Sequence, residues 1–296
     1  MNAISFHTEV PTLSSSAMIL RLTISMYSGR KADKTSRDEI TSNAGATNKR
    51  AASVYKSLFA GDADLEAINQ YQAKARRRIA FLTVPWGDNG DRLVPTASFM
   101  SIGRELQDMH DEFDRLVELF VSGYAQKVSN AAFTLGKLFD RAEYPDPMDI
   151  RHRFSFRYSF EPVPEAGDFR VDLQNEAIAE LKREYDSLSQ RRLESAVEDV
   201  WNRVIGEVTA LRDKLAPQSE DAKRRRPIYE STFAGFRELL ETLDALNITG
   251  DPQLTSAGQD AERALRDIDI ESLRESDEVR QTVHNKMQSI LDRLGR

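Results

Sequence analysis

Apolar residues alternate with polar ones from Met18 to Tyr27. Leu20, Leu22, Ile24 and Met26 fall on one side and Arg21, Thr23, Ser25 and Tyr27 on the other, the period of a half-buried strand. Residues 28–47 carry no such pattern and read as a polar loop with one short helical turn at most. A helical spacing then runs from about Asn48 to Leu82 through Val54, Leu58, Leu65, Ile68 and Ile79, with Gly61 and Asp62 as a point of interruption. In residues 83–95 two short apolar pieces flank Asp88-Asn89-Gly90-Asp91, which predicts a tight turn through Asn89 and Gly90.

From Thr96 to Arg141 apolar residues step by three or four, from Phe99, Ile102 and Leu106 through Phe120, Tyr124 and Val128 to Leu135 and Leu138. A single helix of this length, about 65 Å, with such a seam is coiled-coil-like. Pro145 and Pro147 end it. Period two returns at 150–173. His152, Phe154, Phe156, Tyr158 and Phe160 share one face, Arg151, Arg153, Ser155 and Arg157 the other, and Phe169, Val171 and Leu173 alternate after a Pro- and Gly-containing loop. That predicts a β-hairpin with an aromatic underside.

A second long helix is expected from Asn175 to Leu215, with Arg192 where an apolar residue would keep the heptad, and Pro217 stopping it. Ile228 to Leu246 forms a further helix, residues 247–252 break it, and Thr255 to Leu294 is helical with a division near Ser272–Asp277. The fold class is α+β, mainly α: an elongated bundle of long antiparallel helices with a small sheet. Its organisation reads as residues 1–47 (strand and polar loop), 48–216 (long-helix bundle with the hairpin inserted at 150–173) and 217–296 (C-terminal helices).

Composition then narrows the chemistry. The 296 residues are 40% hydrophobic and 30% charged, with a net charge of −7 and no cysteine. Disulfides, Cys-ligated zinc, iron–sulfur clusters and thiol nucleophiles are excluded. No apolar run approaches the length of a membrane span. Met1 to Ser16 shows no basic leader and the next apolar stretch is broken by Arg21, Thr23 and Ser25, so a cytoplasmic location is expected. Residues 1–80 hold 12 Lys and Arg against 7 Asp and Glu, a net of +5, which leaves −12 on the remainder.

Neither a phosphate-binding P-loop nor a dinucleotide fingerprint is present. The four histidines, at 7, 110, 152 and 284, form no nucleophile–base–acid pattern. His110 has Asp111 beside it and Asp114 one turn on, but a lone histidine on a charge-rich helix reads as solvated, and Asp88, Asn89 and Asp91 lack the spacing of a calcium loop. No catalytic residue, metal or cofactor is assigned. Three basic groups are candidates for phosphate contact: the strand arginines Arg151, Arg153 and Arg157; Lys74, Arg76, Arg77 and Arg78; and Lys223, Arg224, Arg225 and Arg226. Each also fits a solvated charged face. Leu265, Ile268, Leu273, Val279, Val283, Met287, Ile290 and Leu294 outline a stripe that either docks on a partner or folds back on the long helices.

Three strings carry a resemblance: Leu82-Thr-Val-Pro-Trp-Gly-Asp-Asn-Gly-Asp-Arg-Leu93, Gly29-Arg-Lys-Ala-Asp33 and Pro164-Glu-Ala-Gly-Asp-Phe-Arg-Val171. With them the chain resembles a family of uncharacterised proteins of tailed phages and prophages, catalogued as a domain of unknown function. The resemblance implies a phage origin, action inside the infected cell and a gene setting among DNA-metabolism genes and AAA+ ATPases. It supplies no catalytic residue.

The resulting expectation is a non-enzymatic protein that self-assembles or docks on another phage or host protein. A nucleic-acid-binding accessory of replication or recombination is the alternative. No membrane and no small-molecule substrate is indicated.

Overall fold

A computed structural model describes residues 13–164, 175–216, 230–266, 268 and 270–294. A short helix α1 (Leu13–Ser16) leads into β1 (Ala17–Ser25) and β2 (Arg30–Ala32), followed by α2 (Lys34–Asn43), β3 (Tyr55–Ser57), α3 (Ala63–Leu82), β4 (Val84–Pro85) and β5 (Arg92–Pro95). Then come α4 (Phe99–Ser122), α5 (Tyr124–Leu135), α6 (Pro147–Ile150) and β6 (Ser155–Pro162). Five helices complete the order: α7 (Asn175–Leu215), α8 (Glu230–Leu246), α9 (Pro252–Leu265), α10 (Ile270–Glu275) and α11 (Asp277–Leu294). The fold is α+β and mainly α.

The strands form a four-stranded sheet in the order β4-β5-β1-β6 and a separate ribbon of β2 with β3. The turn of residues 83–95 is the hairpin expected: β4 pairs antiparallel with β5, Val84 opposite Leu93, and Trp86 N–H donates to the Asp91 carbonyl at 2.8 Å. Gly90 takes φ +81°, which a side chain would strain.

Two compact units result. The first comprises residues 1–21, 80–102 and 160–296, the second 22–79 and 103–159. In the first, Ala17, Ile19, Val84 and Leu93 of the sheet share one core with the second half of α7, where Ala196, Val200, Val204, Val208, Leu211 and Leu215 are buried. Helices α7, α8, α9 and α11 pack in a ring, each on the next. Gly258 lets α8 and α9 approach: a Cβ on it would meet Leu243 Cδ2 at 2.6 Å. The second unit is built on aromatic rings, with Phe59 in contact with Tyr27, Phe120, Tyr124 and Tyr144 at centroid distances of 5.3 to 6.2 Å.

The structure corrects four expectations. The single helix of 96–141 is two, α4 and α5, because the backbone breaks at Gly123 and the last turn ends at Gly136 with φ +53°. Most of α4 and all of α5 belong to the second unit, while α7 is covered by α11, α8 and α9, so the two long helices are not a coiled-coil pair. Residues 48–62 are not helical: β3 lies there, and α3 starts only after Gly61 (φ +76°), where Asp62 accepts from Leu65 N at 2.9 Å. The polar loop of 28–47 holds the ten-residue α2, capped by Asp33, whose carboxylate accepts from Thr35 N and Ser36 N. Only Thr41 of α2 is buried, so no apolar stripe betrays that helix.

The half-burial of α7 gives a direct test. Leu211 is 1% exposed and Leu188 36% exposed. In urea unfolding, Leu211→Ala is expected to cost about 2–5 kcal/mol and Leu188→Ala less than about 0.5 kcal/mol. Equal losses would show that the first half of α7 is as buried as the second. Burial also pushes the phenols of Tyr124 and Tyr144 up to about 12 from an ordinary 10. They donate to the carbonyls of Pro145 and Leu58 at 3.0 and 2.9 Å. The folded chain keeps these protons where the unfolded chain loses them. Their contribution to stability is therefore complete below pH 10 and lost as the pH rises from 10 to 12. An ultraviolet phenolate titration is expected to show Tyr124 and Tyr144 ionising late; all eight tyrosines ionising together would contradict the burial.

Candidate functional site

Charge is divided between the units. The second unit has 19 Lys and Arg against 16 Asp and Glu, a net of +3, and the rest of the chain is left with −10. What matters for a ligand is which cations the fold leaves uncommitted. On α3 the buried stripe of Leu65, Ile68, Ala75 and Ile79 points the basic run outward. Arg76 donates to the Ile24 carbonyl of β1 at 3.1 Å, and Arg78 forms a 2.5 Å ion pair with Glu105 of α4. Lys74 and Arg77 are exposed and carry no side-chain partner among the described residues.

The arginines at 151–157 do not share a strand face. Asp146 caps α6 with Pro147 at its first turn, and the helical winding continues through Arg151–Arg153 as a 3-10 turn before β6 begins. Arg151 is held by Glu118 at 2.6 Å and Asp114 at 3.2 Å. Arg153 lies 5.9 Å from the Tyr27 ring, a cation–π contact. Of the three, only Arg157 sits exposed on β6, while Phe154 and Phe156 are buried. The expected second hairpin strand at 169–173 and the cluster Lys223, Arg224, Arg225 and Arg226 lie outside the described residues.

The C-terminal stripe is internal. Leu265, Leu273, Val283, Met287 and Ile290 are each at most 4% exposed, and Ile268, Val279 and Leu294 pack against the same core. Of the two alternatives for this stripe, the structure shows it folded back within the chain, with α11 packed on α7 and α9.

The Trp86–Arg92 turn is structural. A helix leaves its last carbonyls without intrahelical donors. Arg92 donates to Thr83 Oγ1 at 2.5 Å and to the carbonyls of Ala80 and Thr83 at 2.8 Å, and Arg203 of α7 donates to the carbonyls of Phe81 and Thr83 at 2.9 Å. Asp199 pairs with Arg203 one turn earlier on α7. Burial, with the Arg203 charge adding to it, lowers Arg92 to about 10. Trp86 is 3% exposed under the Arg192 guanidinium, 5.8 Å from its ring, which explains the charged residue in the α7 seam. Gly87, at φ +75°, is where a Cβ would meet Arg192 at 3.0 Å.

His110 lies 3.3 Å from Asp111 and edge-on to Phe156, and its other carboxylate neighbour, Asp114, is shared with Arg151. No group of three or more acidic or histidine side chains fit to hold a metal occurs among the described residues. No helix among them is long and apolar enough to cross a membrane.

One element escaped the sequence reading. In the β2–β3 ribbon Arg30 is opposite Ser57, Lys31 opposite Lys56 and Ala32 opposite Tyr55. Lys56 turns inward to Glu143 at 2.7 Å, while Arg30, Ala32, Tyr55 and Ser57 are all exposed. The signal was the alternation of Val54, Lys56 and Leu58 against Ser53, Tyr55 and Ser57, masked because it also satisfies a sparse helical spacing.

These features define a mainly helical α+β protein in which one unit carries a net charge of +3 and the rest of the chain −10. The chain belongs to the family described as "protein of unknown function (DUF3150)", whose model matches residues 15–268. The Gly29–Asp33, Leu82–Leu93 and Pro164–Val171 strings all fall within the match. No curated protein and no solved structure gives a match.

The arginine cap makes its own prediction. Arg92→Ala is expected to destabilise by about 1–3 kcal/mol in chemical unfolding, because it strips donors from part-buried carbonyls. Arg92→Lys should recover less than half of that, since an ammonium cannot reproduce the planar fork. A loss under about 0.5 kcal/mol would match an ordinary surface change and contradict the cap.

Proposed function

We propose that the protein is a non-catalytic nucleic-acid-binding accessory whose second unit makes the phosphate contacts. The observation that carries this reading is a set of exposed cations there with no side-chain partner among the described residues: Lys74 and Arg77 on α3, Arg104 on α4, Lys137, Arg157 on β6, Arg30 and Lys31 on β2, Lys34 on α2 and Arg50. Phosphate binding depends on local cations that are free to release counterions, not on the sign of the whole chain. The −10 of the first unit argues for contact confined to one part of the surface. A setting in phage or prophage DNA metabolism rests on the motif resemblance.

A second reading, docking to a protein partner, is favoured by Phe133 and Met148, which stand 87% and 83% exposed in the same unit. Isolated apolar residues are common on soluble surfaces, so this reading ranks below the first.

Binding of a labelled single strand to the full chain, measured at several salt concentrations, tests the first reading. Affinity is expected to fall with salt. The triple variant Lys74→Glu, Arg77→Glu, Arg157→Glu is expected to lower the salt slope by about 0.7 for each phosphate it no longer neutralises. An unchanged slope and affinity in that variant would remove α3 and β6 from the interface. Loss of a partner complex in Phe133→Ser without loss of nucleic-acid binding would favour the second reading.

A further inference from the structure

We propose that the β2–β3 ribbon is the base-contacting element of this unit, a platform for single-stranded nucleic acid on which Tyr55 stacks a base and Arg30 holds the adjoining phosphate. The inference rests on the nucleic-acid reading above and names the part of the unit that touches bases.

Strand geometry sorts the ribbon into two sides. Residues directly opposite in an antiparallel pair point to the same side, and successive residues alternate. One side of the ribbon is therefore Lys31, Lys56 and the flanking Leu58, and the other is Arg30, Ala32, Tyr55 and Ser57. The first side is anchored. Leu58 is 1% exposed, its N–H donates to the Gly29 carbonyl at 2.7 Å, and Lys56 reaches both Glu143 and the Leu138 carbonyl at 2.7 Å. The outer side is open: Tyr55 is 63% exposed, and its cross-strand neighbour is an alanine. A ring opposite Ala32 has no large side chain across the ribbon to cover its face.

Arg30 is the diagonal neighbour of Tyr55 on that side, a separation of about 7–8 Å between backbones. That is within the reach of one nucleotide from a stacked base to its phosphate. Lys34 and Arg50 are exposed close by along the chain, while of the acids Asp33 caps α2, Asp38 pairs with Arg37 and Lys49, and Glu39 of α2 is exposed. An exposed aromatic ring beside free cations on a rigid ribbon is the combination that binds single strands without reading sequence.

The test uses the full chain with a labelled oligothymidylate and a matched strand lacking bases. The native protein is expected to prefer the strand with bases. Tyr55→Ala is expected to weaken thymidylate binding about 5- to 100-fold and to abolish the preference over the baseless strand. Tyr55→Phe should keep both, and Arg30→Ala should lower the salt slope by about 0.7 while keeping the preference. Circular dichroism and melting of Tyr55→Ala are expected to be unchanged, because the ring is outside the core. If the native protein binds but Tyr55→Ala still prefers bases, the ribbon assignment is overturned and the wider reading survives. If the native protein binds neither strand, both fall.

Discussion

The end of α3 is the constraint on which the rest of the first unit depends. Three carbonyls there, on Ala80, Phe81 and Thr83, accept from two arginines that arrive from different parts of the chain, Arg92 on β5 and Arg203 on α7. Two guanidiniums this close repel, and Arg92 is lowered to about 10 partly for that reason. Asp199 offsets the repulsion, and the carbonyl dipoles supply acceptors where the burial of Arg92 keeps water away. Once these bonds are made, β4 and β5 are fixed against α7, Trp86 is buried beneath Arg192, and the apolar half of α7 is aimed at the sheet.

That arrangement decides what remains for function. The ring of α7, α8, α9 and α11 turns its apolar residues on itself. Cations of the second unit are likewise partly committed inside: Lys127 sits between Asp62 and Asp64 at 2.6 and 2.7 Å, and Arg151 between Asp114 and Glu118. The cations left over in this unit include those on the exposed faces of α2, α3, α4, β6 and the β2–β3 ribbon, and these are groups a polyanion would meet.

Much of the architecture was legible because periodicity and punctuation agree. The bounds of α7 match the expectation from Asn175 to Leu215, and β1, the 83–95 hairpin and the breaks after Leu246 and near Ser276 lie where turn residues put them. The break at Gly123 was hidden, because Tyr124 and Val128 continue the apolar step of α4 across it. The 3-10 turn at Arg151–Arg153 was hidden by an alternation that starts before the strand does. The role of Arg92 needed Arg203, far along the chain, and no local pattern links them. The C-terminal stripe shows the converse: its apolar spacing was plain, but whether it faces inward is a tertiary fact. For the candidate site, residue types were visible in Lys74, Arg77 and Arg157. The ribbon was not, since Val54 and Leu58 sit one helical turn apart as well as on one side of a strand.

Photo-crosslinking of the full chain to a single strand bearing a photoreactive pyrimidine, followed by mapping of the attached peptides, tests the central claim most directly. Attachment is expected within residues 22–79 and 103–159, with Tyr55 among the modified positions. Attachment confined to α7–α11, or none above that of an unrelated acidic protein, would contradict the assignment of nucleic-acid contact to the second unit.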